Sequence, residues 1–326
     1  MLNLRVRARC VEAEGVISLE LIDADGAALP PFEAGAHVDL HIPEAPTAPG
    51  ARNLVRQYSL CNDPAERHRY VVAVGRDAAS RGGSTYLHDH LHEGDELQVG
   101  QPRNHFTLNE AASRTILVAG GIGITPLLAM ARRLSALGRR WTLYYCVRTP
   151  QRAAFLAELL ALPGDVIPVF DGVPGIALLD LQAVRAAANA GTHLYCCGPA
   201  SLMGAFERAM AGRAPDTVHV EWFSPRAPEP AAVSPDSDHP FELHLARSGR
   251  MLQVPSDKSI LDVLLEAGIA ADYGCCGGVC GSCEVAVLDG RPLHRDSIFI
   301  GSDADVTDRI LICVSRCAGK SLTLDL

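Results

Sequence analysis

Several features are missing from this 326-residue sequence, and each absence excludes a class of function or partner. No apolar run reaches the roughly 20 residues that a membrane-spanning helix needs, so we expect no membrane partner. The formal net charge is −9, which argues against nucleic acid as a partner. The N-terminus leads into an alternating strand pattern rather than a signal peptide. Together with eleven cysteines, this predicts a protein of the reducing cytoplasm, and we expect a monomer.

The most informative stretch is a glycine-rich loop near the C-terminus that carries Cys275, Cys280 and Cys283 in the spacing C-x4-C-x2-C. Cys313 follows thirty residues later. This is the spacing of a plant-type [2Fe–2S] site, and the glycines let the loop approach the inorganic sulfides. Buried free cysteines are common core residues, but three in nine residues at ligand spacing indicate a site. Zinc usually favours paired C-x2-C knuckles, and no second pair follows.

The first third of the chain, residues 1–107, is predicted to form a small antiparallel β-barrel. Many short apolar–polar alternations separated by Gly, Pro and Asp are typical of that architecture. The predicted strands are 4–11, 16–21, 37–42, 57–61, 70–74 and 96–99, with one short helix at 84–91.

Two segments of this barrel suggest a phosphate site. In Arg56-Gln57-Tyr58-Ser59, the alternation of a strand places Arg56 and Tyr58 on one face, where an arginine fork suits phosphate and a tyrosine suits an aromatic ring. In Arg81-Gly82-Gly83-Ser84, free N–H groups ahead of a helix suit an anion. Each segment alone could be an ordinary surface strand or a Gly-Gly turn, but both point to phosphate.

Residues 108–225 are predicted to form an α/β domain with a parallel sheet. A buried strand at 115–119, the turn Gly120-Gly121-Ile122-Gly123-Ile124-Thr125-Pro126 and a helix at 127–137 form the opening unit of a nucleotide-binding domain, with Thr125 as the expected N-cap. Further strands are predicted at 141–147, 166–170, 192–196 and 218–222, with helices at 155–162, 179–190 and 201–212.

Candidate coenzyme-binding residues stand where these strands end, because parallel sheets bind ligands at their carboxyl edge. We expect the bound nucleotide to contact Gly121, Gly123, Arg148, Asp171, Cys197, Gly198 and Pro199. Each residue could be an ordinary loop residue, and their shared position at strand ends is what indicates a site.

A proline-rich segment, 226–237, is predicted to be a linker, and 238–326 a compact domain around the cysteine loop. Its elements are predicted at 241–245, 251–254, 259–267, 284–288 and 310–313. From Asp238 to the end, thirteen acidic and eight basic residues give a net charge of −5.

The motifs together resemble the ferredoxin–NADP⁺ reductase-like family. The order of barrel, nucleotide domain and C-terminal ferredoxin is similar to that of phthalate dioxygenase reductase and the vanillate O-demethylase reductases. Further strings in the tail, Cys280-Gly281-Ser282-Cys283-Glu284, His294-Arg295-Asp296 and Cys313-Val314-Ser315-Arg316, are also similar. The resemblance implies FMN, NADH and a [2Fe–2S] cluster in one polypeptide that serves a separate Rieske-type oxygenase, with a β-grasp ferredoxin domain.

Residue roles follow from the resemblance. The FMN site would comprise Arg56, Gly82, Gly83 and Ser84 at the phosphate, Gln57, Tyr58, Ser59, Ala73 and Val74 along the strands at the ring, Thr125 between flavin and nicotinamide, and Phe223 over the flavin. Trp222, beside Phe223, departs from the pattern and could be the ring that stacks instead. The family match places the fourth cluster ligand at Cys313 rather than Cys317, which we expect in an exposed turn. Cys276 is an extra thiol that we expect not to bind iron.

These parts form one electron path, because a hydride carries two electrons and a [2Fe–2S] cluster accepts one. A flavin between them can take both and release them singly. The path needs no catalytic acid or base, and His88, His90 and His92 are interpreted as surface residues. An FAD-containing reductase and a redox sensor without turnover are the alternatives. Gly75 to Arg81 has no aromatic residue to stack on adenine, which favours FMN.

Overall fold

The protein was analysed as a computed structural model that describes residues 1–42, 54–77, 82–224, 239–299 and 306–326. They divide into two compact units, Met1–Glu221 and Trp222–Leu326. The predicted linker, 226–237, and Arg81 of the second phosphate motif lie outside the described residues. Among the helices that are described, none has the length and apolar character needed to cross a membrane.

The first unit begins with the predicted antiparallel barrel. Its strands are β1 (Leu2–Ala13), β2 (Val16–Asp23), β3 (His37–Ile42), β4 (Leu54–Ser59), β5 (Tyr70–Gly75) and β6 (Glu96–Val99). They lie in the order β4-β3-β6-β1-β2-β5, and a bridge between Leu60 and Val72 joins the two outer strands, which closes the barrel. Inward-facing apolar side chains such as Leu4, Leu19 and Leu40 are fully buried, as the alternation predicts.

A short helix, α1 (Gly83–Asp89), follows β5 and packs on the barrel. The prediction that His88 of this helix is a surface residue is wrong. The His88 Nε2 lies 2.9 Å from the Val74 carbonyl oxygen, and the residue is partly buried. Asp89 makes a two-bond ion pair with Arg76, both bonds being 2.8 Å long. Helix α1 is therefore attached to the end of β5 at two points.

The same unit contains the predicted parallel sheet. Its strands are β7 (Arg114–Gly120), β8 (Trp141–Val147), β9 (Asp165–Phe170), β10 (Thr192–Cys197) and β11 (Val218–Glu221), and its helices are α2 (Ile124–Ala136), α3 (Leu156–Ala161), α4 (Leu181–Ala186) and α5 (Ala200–Met210). Single 3-10 turns occur at Gly121–Gly123, Pro150–Arg152 and Pro215–Thr217. The strand order β11-β10-β7-β8-β9 reverses direction at β7, so β7 and β10 flank the switch point at which such sheets bind ligands.

Helix α2 starts earlier than the sequence predicted. It begins at Ile124 with Gly123 as the N-cap, so the assignment of Thr125 as the N-cap is wrong. The Thr125 hydroxyl instead donates to the Ile122 carbonyl oxygen over 3.0 Å, and the residue is 2% exposed. The 3-10 turn at Gly121–Gly123 runs straight into the helix, which leaves no extended residue for a side-chain cap.

The second unit is a small α+β domain. Its elements are β12 (Phe241–Leu245), β13 (Arg250–Val254), α6 (Ile260–Glu266), β14 (Glu284–Asp289), β15 (Pro292–Leu293), β16 (Arg309–Leu311), β17 (Arg316–Cys317) and β18 (Ser321–Leu324). The main sheet has the order β13-β12-β18-β14-β16, with β12 and β18 parallel, and the predicted fold class is confirmed. Ser259 and Asp262 cap α6 reciprocally in a capping box.

Candidate functional site

Strand β4 presents the residues of the first phosphate motif on its two faces. Arg56 and Tyr58 alternate with Gln57, whose side-chain amide donates to Asp39 on the neighbouring strand β3 over 2.7 Å. Burial raises the pKa of Tyr58 above its usual range, against the opposing effect of the Arg56 charge, so the phenol is neutral. Arg56 and Tyr58 thus share one face, whereas Gln57 braces the strand from the other.

Arg56 lies directly against the start of helix α1. A side-chain carbon added to Gly83 would lie 2.8 Å from the Arg56 Cγ and 3.1 Å from its Nε. The strand motif and the Gly-Gly motif are therefore in contact, although they are 27 positions apart in the chain. Ser84 follows in the first turn of α1, with its hydroxyl 3.3 Å from the Asp77 backbone nitrogen. One arginine, one hydroxyl and a glycine-lined approach form a site that fits a phosphate.

The other barrel residues that we expected at the flavin ring are buried. Ser59 at the end of β4 is 4% exposed, Ala73 is 3% exposed and Val74 is fully buried. Val74 is also the residue whose carbonyl oxygen faces His88 of α1. The phosphate candidates and the ring candidates are therefore linked through α1 and β5.

The glycine-rich turn after β7 packs on the end of β10. A side-chain carbon at Gly123 would collide with the Cys197 carbonyl group. This close approach explains the glycine and brings Gly123 beside Cys197 and Gly198, two residues that the sequence analysis assigned to the same coenzyme site. Cys197 is fully buried, and burial raises its pKa well above the usual range, so it is a neutral thiol.

Arg148 and Asp171 meet at the ends of β8 and β9. The Arg148 Nη1 lies 3.6 Å from the Asp171 Oδ1, with the arginine side chain 70% exposed and the aspartate 19% exposed. The Gly172 backbone nitrogen also donates to the Arg148 carbonyl oxygen over 2.9 Å. An ion pair therefore joins the ends of β8 and β9 at the carboxyl edge of the sheet, where parallel sheets bind ligands.

A cavity of about 320 Å³ lies between the barrel and the parallel sheet within the first unit. Gly75, which follows Val74, and Gly121 of the glycine-rich turn both line it. Arg152 lies at its rim and is 3.8 Å from Glu14. The cavity therefore opens where the end of β5 and the glycine-rich turn after β7 meet.

One acidic residue at this edge was missed by the sequence analysis. Glu221 ends β11 and lies in register with Cys197. Burial raises its pKa to about 8, and within the described chain its Oε2 has no hydrogen-bond partner. At neutral pH, Glu221 therefore adds a mostly protonated side-chain carboxyl group at the C-terminal ends of the parallel strands. Its position at a strand end was visible in the sequence, but its burial was not.

The second unit brings together the four cysteines that the sequence proposed as ligands. The Cys275 backbone nitrogen lies 3.4 Å from the Cys280 Sγ, and these two thiols interact with each other. The Cys313 thiol interacts with the thiols of Cys275 and Cys283 and with the Gly278 N–H. The contacts form one chain of four thiols, in the order Cys280, Cys275, Cys313 and Cys283.

The four thiols lie together at one place in the domain, as the ligands of a plant-type [2Fe–2S] site must. Among the described residues, no group of three or more His, Cys, Asp or Glu side chains is placed to hold a metal ion. The neighbouring Cys275 thiol, and then burial, raise the pKa of Cys280 above its usual range. Crowded thiols lose their protons readily only when a cation compensates the charge, so four such thiols fit the ligand set of a [2Fe–2S] cluster.

The two other cysteines of this region are placed differently. Cys276 is exposed, with a left-handed φ of 52°. Cys317 is fully buried, so the expectation that it lies in an exposed turn is wrong. Its sulfur lies 3.2 Å from both the Gly319 backbone nitrogen and the Ser321 carbonyl oxygen, which fixes it to the turn between β17 and β18. Phe223 of the same unit is 42% exposed, and its role at the flavin stays a prediction.

Comparisons with known proteins agree with this reading. Residues 243–318 match the family model of the 2Fe-2S iron-sulfur cluster binding domain, which confirms the predicted ferredoxin domain. The chain is 43% identical to the phenoxybenzoate dioxygenase subunit beta of Ectopseudomonas oleovorans, over 99% of this chain and 97% of that one. It is 41% identical to the vanillate O-demethylase oxidoreductase of Pseudomonas sp. (strain HR199), over the full length of both.

A solved structure gives the same result over the whole chain. The structure of phthalate dioxygenase reductase, described as modular for electron transfer from pyridine nucleotides to [2Fe–2S], superposes with a TM-score of 0.69. It is 39% identical and is matched over 100% of this chain and 98% of that one. The barrel, the parallel sheet and the cluster domain are therefore shared in their order along the chain.

Proposed function

This chain belongs to the phthalate dioxygenase reductase family, and on that premise we propose that it supplies electrons from NADH to a Rieske-type aromatic oxygenase. The observation that carries the proposal is the convergence of Cys275, Cys280, Cys283 and Cys313 in a chain whose other unit contains a nucleotide-binding turn. A metal site alone would serve many functions, and so would a nucleotide site alone. Their combination with a flavin-type barrel is what a pyridine-nucleotide reductase needs.

The chain's own residues would bind and orient the reacting groups. The Arg56 fork and the Ser84 hydroxyl would hold the FMN phosphate, and Tyr58, Ala73 and Val74 would line the ring. FMN, when bound, supplies the conversion of a two-electron donor into one-electron steps. Gly121 and Gly123 would allow the nicotinamide coenzyme to lie against the turn, because neither has a side chain to block the approach, and Thr125 would lie between flavin and nicotinamide. The four cysteines would hold the cluster.

FMN is proposed over FAD on two grounds. The contact between Arg56 and Gly83 forms one compact phosphate site. The stretch from Gly75 to Arg81 offers no aromatic side chain against which an adenine could stack, and its residues 78–81 lie outside the described chain. The related names, phenoxybenzoate dioxygenase, vanillate O-demethylase and phthalate dioxygenase, support an aromatic oxygenase as the acceptor.

The acceptor is tested by anaerobic stopped-flow mixing. The protein is reduced with NADH and mixed with a purified oxygenase that carries a Rieske centre, and in parallel with a cytochrome P450. We expect rapid reoxidation by the Rieske-type oxygenase and slow reoxidation by the P450. Equal rates, or faster transfer to the P450, would refute the Rieske assignment.

We also propose that the protein acts as a monomer in the cytoplasm. Sedimentation analysis tests the monomer, and cell fractionation tests the location.

The enzyme is expected to prefer NADH to NADPH. Asp171 lies at the end of β9, and its carboxylate would repel a 2′-phosphate but accept a hydrogen bond from a 2′-hydroxyl. The nearby Arg148 already interacts with Asp171 over 3.6 Å, and Arg152 lies 3.8 Å from Glu14. We expect kcat/KM to be at least about tenfold higher with NADH, which corresponds to about 1.4 kcal/mol.

The Asp171→Ser variant should reduce this preference, mainly by raising kcat/KM for NADPH. Asp165→Asn is the matched control, because Asp165 starts the same strand at the opposite edge of the sheet. Comparable efficiency of the unmodified enzyme with both coenzymes, or no change in Asp171→Ser, would contradict the assignment.

The oxygenase is expected to dock on the cluster-bearing domain through charge. Residues 238–326 contain thirteen acidic and eight basic residues and so carry −5 of the total charge of −9. A basic surface on the oxygenase would be attracted, and screening by salt would weaken that attraction. We expect the second-order rate of oxygenase reduction to fall steadily between about 0.05 and 0.5 M salt, while NADH-dependent reduction of ferricyanide changes little. An oxygenase rate that does not respond to salt would exclude docking by charge.

A further inference from the structure

The cluster domain contains a buried carboxylate that the electron path does not use. Asp296 lies in the loop after β15 and is 1% exposed. Its Oδ1 accepts hydrogen bonds from the backbone nitrogens of Ile298, at 3.0 Å, and Phe299, at 2.6 Å. Its Oδ2 accepts a hydrogen bond from the Ser315 hydroxyl over 2.9 Å. A carboxylate buried this completely is costly unless donors surround it, and here they do.

These contacts reach both segments that carry the cysteines. Ser315 is two residues after Cys313, and its oxygen also accepts a hydrogen bond from the Arg295 backbone nitrogen over 3.1 Å. On the other side, the Ser297 backbone nitrogen donates to the Gly278 carbonyl oxygen over 2.8 Å. Gly278 stands between Cys275 and Cys280 in the sequence. The Asp296 loop therefore bridges the cysteine loop and the Cys313 segment.

Gly278 is the point at which the bridge reaches the sulfur atoms. Its N–H interacts with the Cys313 thiol, while its carbonyl oxygen is held by Ser297. A side-chain carbon at Gly278 would lie 2.9 Å from the Asp296 Cα and 2.7 Å from the Val314 Cγ2. The backbone there is in the left-handed region, with a φ of 70°. The position of this N–H thus depends directly on the loop that Asp296 organises.

We propose that Asp296 is a positioning residue for the [2Fe–2S] cluster. Asp296 aligns the two cysteine segments and makes the cluster harder to reduce. The first effect acts through the Asp296–Ser315 and Ser297–Gly278 hydrogen bonds. The second follows from charge, since one-electron reduction adds negative charge beside a buried carboxylate. This inference rests on the proposed function, namely on Cys275, Cys280, Cys283 and Cys313 being the ligands.

One neighbouring charge must be controlled in the test. The His294 Nδ1 lies 3.3 Å from the Asp296 Oδ2, and the His294 Nε2 lies 2.7 Å from the Val306 carbonyl oxygen. A protonated His294 would offset the carboxylate. All proteins are therefore compared at one fixed pH and ionic strength, so that they differ only at the substituted residue.

The test uses the full holoprotein with Asp296→Asn, Ser315→Ala and the control Asp257→Asn, which removes one exposed carboxylate from the same domain. Asn retains the shape and an acceptor for the two backbone N–H groups, but not the charge. The midpoint potential of the cluster is measured by redox titration followed by electron paramagnetic resonance. Cluster retention is measured as the rate of iron release to a chelator.

In Asp296→Asn we expect a more positive midpoint potential and iron release roughly tenfold faster, the factor that one lost charge-assisted hydrogen bond produces. In Ser315→Ala we expect faster iron release as well, and Asp257→Asn should match the parent in both measurements. An Asp296→Asn protein with the parent's potential and release rate would overturn the inference. If that variant does not assemble a cluster, Ser315→Ala decides, and an unchanged release rate overturns it. A parent protein without a [2Fe–2S] signal would instead refute the proposed function itself.

Discussion

Replacing Cys313 by Ser is expected to abolish the native [2Fe–2S] cluster, whereas replacing Cys317 by Ser is expected to preserve it. The Cys313 thiol interacts with those of Cys275 and Cys283. The Cys317 sulfur interacts with the backbone of Gly319 and Ser321. A serine oxygen binds iron more weakly than a thiolate, so Cys313→Ser should lose iron, sulfide and the visible absorption of the cluster.

The two variants control for each other, because both remove a buried thiol from the same domain. Cys276→Ser is a third variant with an exposed thiol, and it should also keep the cluster. A loss of stability alone would affect Cys313→Ser and Cys317→Ser alike and would appear in their thermal unfolding. A cluster that survives in Cys313→Ser and is lost in Cys317→Ser would reverse the assignment.

Replacing Arg56 by Ala is expected to weaken FMN binding on the order of 10- to 100-fold, because a charge-assisted hydrogen bond contributes about 1.5–3 kcal/mol. Arg56 lies against Gly83 at the start of α1. It is the one arginine in β4, so no neighbouring arginine of that strand can take its place. Apoprotein titrated with FMN gives the dissociation constant from the quenching of flavin fluorescence. The flavin released from the denatured parent protein is identified by chromatography.

Arg56→Lys should be intermediate, since lysine keeps the charge but not the planar fork. Arg5→Ala is the control, because Arg5 is an exposed arginine on β1 of the same barrel. Stoichiometric FAD in the parent would contradict FMN as the cofactor. An Arg56→Ala protein that binds FMN as tightly as Arg5→Ala does would remove Arg56 from the site.

Regular alternation and motif spacing were enough to predict most of the architecture. The barrel strands, the parallel sheet and the ferredoxin domain were all expected, because each has a short-range pattern. Strand β18 was missed, although Ser321–Leu324 alternates polar and apolar residues. It is only four residues long, and its place between β12 and β14 depends on pairing with strands far away in the sequence.

The wrong predictions for Cys317 and His88 have the same cause. Both residues make contacts with segments that their own sequence surroundings do not reveal. Cys317 stands among polar residues, yet it pairs with Pro292 between β15 and β17 and is fully buried. His88 was interpreted as a surface residue because nothing near it in the chain shows that the Val74 carbonyl oxygen faces its ring. Spacing predicts which thiols are available for a metal, but only folding determines which carbonyl groups a side chain meets.

The central claim is that electrons pass from NADH through flavin to the cluster within this chain. The most direct test is anaerobic mixing of the holoprotein with NADH, freezing within milliseconds to seconds, and electron paramagnetic resonance of the frozen samples. The account predicts that NADH oxidation and flavin bleaching are followed by the signal of a reduced [2Fe–2S] cluster. Bleaching of the flavin with no cluster signal at any time would contradict it.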